Sequence, residues 1–143
     1  MPENQIPLVG TWRLISCDIE YQDSRTREPY FGPVPPKGYL ILTSEGRMMA
    51  LLVSGERRPG CSSAQQAALF RTMMAYSGRY CIEIDKFITK VDVSWNEEWT
   101  GSNQVRFYTL QGKRLEILTD WLPHPTHKAH PMVRGILSWI RDE

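Results

Sequence analysis

The stretch Leu8-Val9-Gly10-Thr11-Trp12-Arg13-Leu14-Ile15-Ser16-Cys17-Asp18-Ile19-Glu20-Tyr21 decides the fold. Its β-branched and aromatic content predicts a strand over Gly10–Tyr21. Successive side chains of a strand face opposite sides, so if Trp12 points inward, Leu14, Ser16, Asp18 and Glu20 start on the same face. The next segment, Gln22–Lys37, carries Pro29, Pro33, Pro35 and Pro36, which predicts a loop without strand or helix.

Further along, Gly38–Thr43 and Arg47–Val53 form a hairpin across Ser44-Glu45-Gly46. One helix follows the Pro59-Gly60 turn, capped by Ser62 or Ser63. Ala67, Phe70 and Met74 have helical spacing, with Leu69 and Met73 beside them, and extend it to about Ala75. Arg79–Asp85 and Phe87–Trp95 are the next strand pair, and Asn96–Asn103 is a link. Gln104–Leu110 and Arg114–Asp120 pair across Gln111-Gly112. His124–Met132 is a proline-rich loop, and Gly135–Arg141 is the last strand. About eight short strands in sequence, with tight hairpins and no βαβ alternation, predict an all-β, antiparallel up-and-down barrel with one short helix covering its mouth. Eight strands leave an interior wide enough for side chains or one small ligand.

The whole chain, 1–143, reads as a single domain. With 41% hydrophobic and 23% charged residues it is ordinary for a folded protein. A net charge of +1 supplies no field for nucleic acid. No apolar run approaches the length of a membrane helix, so neither nucleic acid nor membrane is an expected partner. The start, MPENQIPLVG, lacks the pattern of a signal peptide, and the expected location is cytoplasmic. Cys17, Cys61 and Cys81 are odd in number and lack CxxC spacing, which argues against a disulfide framework or a zinc site.

Several pieces in order resemble the small bacterial and fungal lipocalin-like domain family. They are Leu8–Leu14 with its G-x-W core, Gly38–Thr43, Glu45–Met48, Tyr76–Tyr80, Trp99-Thr100-Gly101, Gln104–Phe107 and Trp139-Ile140-Arg141. The resemblance implies a calycin-type barrel in which Trp12 closes the floor and Arg141 stacks on its face, a structural pair worth on the order of 1 kcal/mol or more. It implies a role for Arg106, which matches a recurring arginine. It also implies a histidine where this chain has Lys90, so no role of that histidine carries over. The fold itself does not fix a function.

Alternation and resemblance disagree about the cavity. By alternation alone, Val105, Phe107 and Thr109 go to the core while Gln104, Arg106, Tyr108 and Leu110 go to solvent; likewise Val91 and Val93 go inward, against Lys90, Asp92 and Ser94. The resemblance turns Arg106 inward. An interior holding Asp18, Asp92 and Arg106 would be a compensated polar cluster, able to anchor a carboxylate, enolate or carbonyl oxygen. Met48, Met49, Met73 and Met74, with Phe70, Tyr76 and Tyr80, suggest an adaptable apolar wall edged by hydroxyls. His124, His127 and His130 lie in a loop broken by Pro123, Pro125 and Pro131, which favours a solvated loop over a metal site.

Three functions compete. The leading one is binding of a small, mostly apolar or aromatic molecule, with Met48, Phe70, Met74, Tyr76, Lys90 and Tyr108 as binding residues. The second is a cofactor-free isomerase, cyclase or dehydratase of secondary metabolism. There Asp18, Glu20, Asp92, Lys90 or Tyr80 would move the proton and Arg106 would steady an oxyanion. The third is a homodimeric structural module joined by apolar outer strand faces. None of the three calls for a cofactor or a metal.

Overall fold

The computed structural model describes residues 7–124 and 127–143; the opening hexapeptide, Pro125 and Thr126 lie outside them. Eight long antiparallel strands close into a barrel: β1 (Gly10–Tyr21), β3 (Lys37–Leu42), β4 (Arg47–Val53), β5 (Met73–Glu83), β6 (Lys86–Ser94), β7 (Asn103–Gln111), β8 (Arg114–Thr119) and β10 (Met132–Arg141). Each pairs with its neighbour, and β1 closes on β10 from Trp12↔Arg141 to Tyr21↔Val133. Two short strands, β2 (Arg27–Pro29) and β9 (Leu122–Pro123), lie along β1 and β10 at the other end from Trp12. Among the described residues no helix is long and apolar enough to cross a membrane.

The floor is built by β1, β10 and the chain before β1. Trp12 is fully buried, and the Arg141 guanidinium lies 4.1 Å from its ring centroid. The Trp12 Nε1–H donates to the Leu8 carbonyl at 3.0 Å, and Arg141 donates to the carbonyls of Val9 and Pro7. Gly10 has φ +138°, and a Cβ there would meet the Arg141 Nη1 at 2.6 Å. The glycine of the G-x-W piece therefore clears the space in which the arginine reaches its tryptophan.

Two bulges decide which side chains face inward. In β1, Leu14 pairs with Trp139 and Ser16 with Ser138, leaving Ile15 as an extra residue. A bulge reverses alternation beyond it. Cys17 and Ile19 are thereby turned to the interior, in register with Leu137 and Gly135, while Asp18 and Glu20 fall in register with Ile136 and Arg134 on the other face. The expectation of Trp12, Leu14, Ser16, Asp18 and Glu20 on one face fails for this reason. In β6, Val91 opposes Gly78 and Val93 opposes Ser77, so Asp92 is the extra residue. A Cβ at Gly78 would meet the Lys90 carbonyl at 2.0 Å, so glycine permits the tight crossing there.

Local propensity misleads at the helix. Helix α1 (Ser63–Arg71) has a capping box between Ser62 and Gln65, but it ends at Thr72 rather than near Ala75. Met73 and Met74 enter β5, which begins six residues before the expected Arg79, and pair with Val53 and Leu52. The backbone ladder with β4 outweighs the helical spacing of Met73 and Met74. No residue of α1 is buried and none borders the cavity, so the helix does not cover the mouth as expected. The proline-rich loop also differs from expectation: Arg27–Pro29 pairs along β1, with Pro29 as its last residue.

Candidate functional site

A cavity of about 300 Å³ occupies the barrel above the floor, open toward the end opposite Trp12. That volume is at the lower end for small-molecule sites. Its wall is mainly apolar, supplied by Leu40, Met48, Ala50, Leu52, Phe87 and Ile117 among others. Strand β7 contributes the polar part. Gln104 and Arg106 line the cavity while Val105 and Phe107 take the outer face, the reverse of what alternation of polarity predicts. The inward course of this strand is fixed by its neighbours: Arg106 pairs with Phe87 of β6 and Thr119 of β8, which also line the cavity.

The Arg106 guanidinium lies 5.7 Å from the Tyr76 ring centroid and 5.8 Å from that of Trp99, within range of favourable cation–π contact. The two rings meet edge to face at 5.0 Å. Arg106 Nη1 donates to the Val105 carbonyl at 3.0 Å, and Nη2 to Gln104 Oε1 at 3.4 Å. Gln104 is itself oriented, since its Nε2 donates to Ser102 Oγ at 2.9 Å, and Ser102 in turn donates to the Trp99 carbonyl at 2.6 Å. Among the described residues, Arg106 forms no salt bridge, although the other cavity-lining arginine, Arg134, is bound to Glu20 at 2.8 Å. Cys17 also lines the cavity, and burial pushes its thiol up to about 12; the charge of Asp18 adds to this and that of Arg106 opposes it.

The expected site residues separate into two sets. Arg106, Met48, Met74 and Tyr76 border the cavity. So does Asp18, although its register sends its side chain to the face of Ile136. The others lie elsewhere. Asp92 sits on the outer wall at its bulge, held by Arg47 Nη1 at 2.7 and 2.9 Å. Lys90 and Phe70 are exposed, Phe70 by 51%. Tyr80 is buried in the core and donates to the Thr43 carbonyl at 2.7 Å, with its pKa raised by burial and by Glu45. Tyr108 packs against the core, 6.3 Å from Phe87, and its pKa is raised by burial and by Asp85. Glu20 is buried beneath Arg25, Arg27 and Arg134; burial alone would raise its carboxyl, but Arg134 and Arg27 outweigh it and hold the pKa low. The interior triad of Asp18, Asp92 and Arg106 does not form.

Sequence reasoning missed Trp99, Gln104 and Trp139 as cavity residues. Gln104 was detectable, because it shares a strand face with Arg106. Among the described residues no three His, Cys, Asp or Glu side chains are placed to hold a metal ion. His130 Nδ1 instead meets the His124 carbonyl at 3.0 Å, and the His127 N–H donates to His124 Nδ1 at 3.3 Å.

Closed barrel, tryptophan floor and stacked late arginine together match the lipocalin-like plan, and a family model described as a lipocalin-like domain matches residues 9–141. The chain belongs to the lipocalin-like domain family. Comparison with curated proteins finds no match. The lipocalin-like fold is a ligand-binding fold in general, and here it has an interior with room for a ligand.

Proposed function

We propose that the barrel holds a small, mostly aromatic or apolar molecule whose anionic or carbonyl oxygen is taken by Arg106. One observation carries this: a guanidinium in a largely apolar, tryptophan- and tyrosine-edged cavity, with no salt bridge to any described carboxylate. A partly buried cation without a counterion favours an oxygen ligand that supplies one. Native mass spectrometry of the protein from its own host tests it. A bound small molecule is expected, and Arg106→Gln should abolish the adduct. A bare chain that also takes up no aromatic carboxylate would sink the idea.

The enzyme reading, a cofactor-free isomerase, cyclase or dehydratase, has less support. It needs an acid or base facing the ligand, yet Asp92 and Lys90 lie on the outer wall, the Tyr80 hydroxyl is engaged by Thr43 and Glu20 is held by Arg27 and Arg134. Asp18 alone of the five borders the cavity, and its register sends its side chain to the face of Ile136. A substrate–product pair in the same spectrum would restore it.

The outer wall supports a second reading, self-association. Tyr39, Ile41, Met49, Leu51 and Val93 are exposed by 39–67%. Tyr39 pairs with Leu51 and Ile41 with Met49, while Val93 lies one strand beyond Ser77, which pairs with Met49. A contiguous apolar strip of this kind suits a two-fold interface between copies. Light scattering should give a dimer for the parent and a monomer for Leu51→Glu; a monomeric parent at high micromolar concentration refutes it.

A further inference from the structure

We infer that the molecule in the barrel carries two oxygen acceptors: an acidic one for Arg106 and a neutral one, deeper, for the indole N–H of Trp139. This rests on the binding reading above and adds to it the length and polarity of the ligand. Trp139 is 2% exposed and lines the cavity, and its Nε1 has no hydrogen-bond partner among the described residues. A buried donor without an acceptor is costly, so such groups are normally satisfied. The other buried tryptophan at this end follows that rule, since Trp12 Nε1 donates to Leu8. Among the described residues the chain thus supplies an acceptor for the floor tryptophan and none for Trp139.

The register gives the spacing. Trp139 pairs with Leu115 and Arg106 with Thr119, so the two donors stand four residues apart along β8. Four residues span about 13 Å of strand. Arg106 and Trp139 come from the two strands that flank β8 and both line the cavity, so the two acceptors belong at opposite ends of an elongated ligand, such as one with a fused two-ring body between them. The deep acceptor is neutral because Trp139 lies between Leu14 and Leu115, and the nearby Arg141 is engaged by Val9 and Pro7. An anion there would have no counterion. A ketone or ether oxygen fits; a second carboxylate does not.

The test compares two isosteric probes, 6-acetyl-2-naphthoate and 6-isopropyl-2-naphthoate, by calorimetry on the full chain and on Trp139→Phe. The wild type should bind the acetyl probe about five-fold tighter than the isopropyl probe, the size of one net hydrogen bond. Trp139→Phe keeps an aromatic ring but no donor, and it should bind the isopropyl probe as before while losing the preference. In ¹⁵N spectra the indole resonance absent from Trp139→Phe should move downfield only with the acetyl probe. Tight binding of both probes without preference overturns this inference alone. A preference that survives in Trp139→Phe, or an unmoved indole resonance, overturns it too. Failure of the wild type to bind either probe overturns the binding reading and this inference together. If Trp139→Phe fails to fold, a wild-type indole resonance that moves downfield with the acetyl probe and not with the isopropyl probe still decides.

Discussion

Two arginine–aromatic pairs sit at different heights in the barrel, alike in chemistry and opposite in what surrounds them. At the floor, Arg141 lies on Trp12, and both residues donate to carbonyls of Pro7, Leu8 and Val9. Toward the mouth, Arg106 lies against Tyr76 and Trp99 and, among the described residues, is bonded only to its neighbour Val105 and to Gln104, while the Trp139 Nε1 below it has no described partner. Satisfied polar groups rigidify a structure, and unsatisfied ones in a cavity await a partner. The difference teaches that arginine on an aromatic ring marks neither structure nor binding by itself. What decides is whether the chain supplies the acceptors. Each prediction below changes one member of the comparison.

The largest effect is expected at the floor. Trp12→Ala removes a fully buried side chain and should cost about 3–5 kcal/mol in urea unfolding. A cost below about 1 kcal/mol would mean that the floor does not organise the barrel. Arg106→Gln should do the reverse. It should weaken 2-naphthoate binding about 10- to 100-fold, as for a lost charged hydrogen bond, while unfolding stability moves by less than about 1 kcal/mol, since no salt bridge is broken. Loss of stability without loss of affinity would make Arg106 a second structural arginine. Arg141→Gln stands between them, with an expected cost of about 1–2 kcal/mol from lost stacking and backbone hydrogen bonds, and with 2-naphthoate affinity unchanged.

The floor was legible from sequence because it depends on a short local pattern, Gly10 to Trp12, and one distant arginine that the family resemblance supplied. Strand number and order were legible for the same reason that hairpins are: the turns are local. The cavity was not. A single inserted residue, Ile15, exchanges the faces of β1 beyond it, and a second bulge at Asp92 turns Val93, expected in the core, out to the surface. Alternation cannot see a bulge. Polarity also pointed the wrong way on β7, because a binding cavity places Gln104 and Arg106 inside and leaves Val105 and Phe107 outside. Cavity-facing polar residues break the binary pattern where function requires it.

The inward turn of β1 has its own signature in Cys17. Burial pushes its thiol from the ordinary 9.0 up to about 12, because it disfavours the thiolate. A folded pKa above the unfolded one gives stability that is full below pH 9 and lost as pH rises toward 12. Between pH 8 and 10 the loss should be about 1 kcal/mol in urea unfolding, and Cys17→Ala should remove that part of the slope. Iodoacetamide at pH 8 should label the exposed Cys61 and Cys81 and spare Cys17. Rapid labelling of Cys17 in the folded chain would contradict its burial and its raised pKa.

The smallest effect is predicted at Phe70, and it separates the two ends in another way. By helical spacing Phe70 belongs to a lid, which would make it part of the mouth. In the fold, α1 buries no residue, Phe70 is half exposed, and the chain leaves the helix at Thr72 to join the sheet. The mouth is instead edged by Trp99, held by the turn of Glu97–Trp99, by Tyr30 just after β2, and by β9. Phe70→Ser should therefore change stability by less than about 0.5 kcal/mol and leave 2-naphthoate affinity unaltered. Trp99→Ser should weaken affinity several-fold through the lost aromatic contact with Arg106. If Phe70→Ser were the more damaging of the two, the helix would have to fold over the cavity when a ligand is bound. The open cavity would then be closed by α1 rather than by the aromatic pair that holds its arginine.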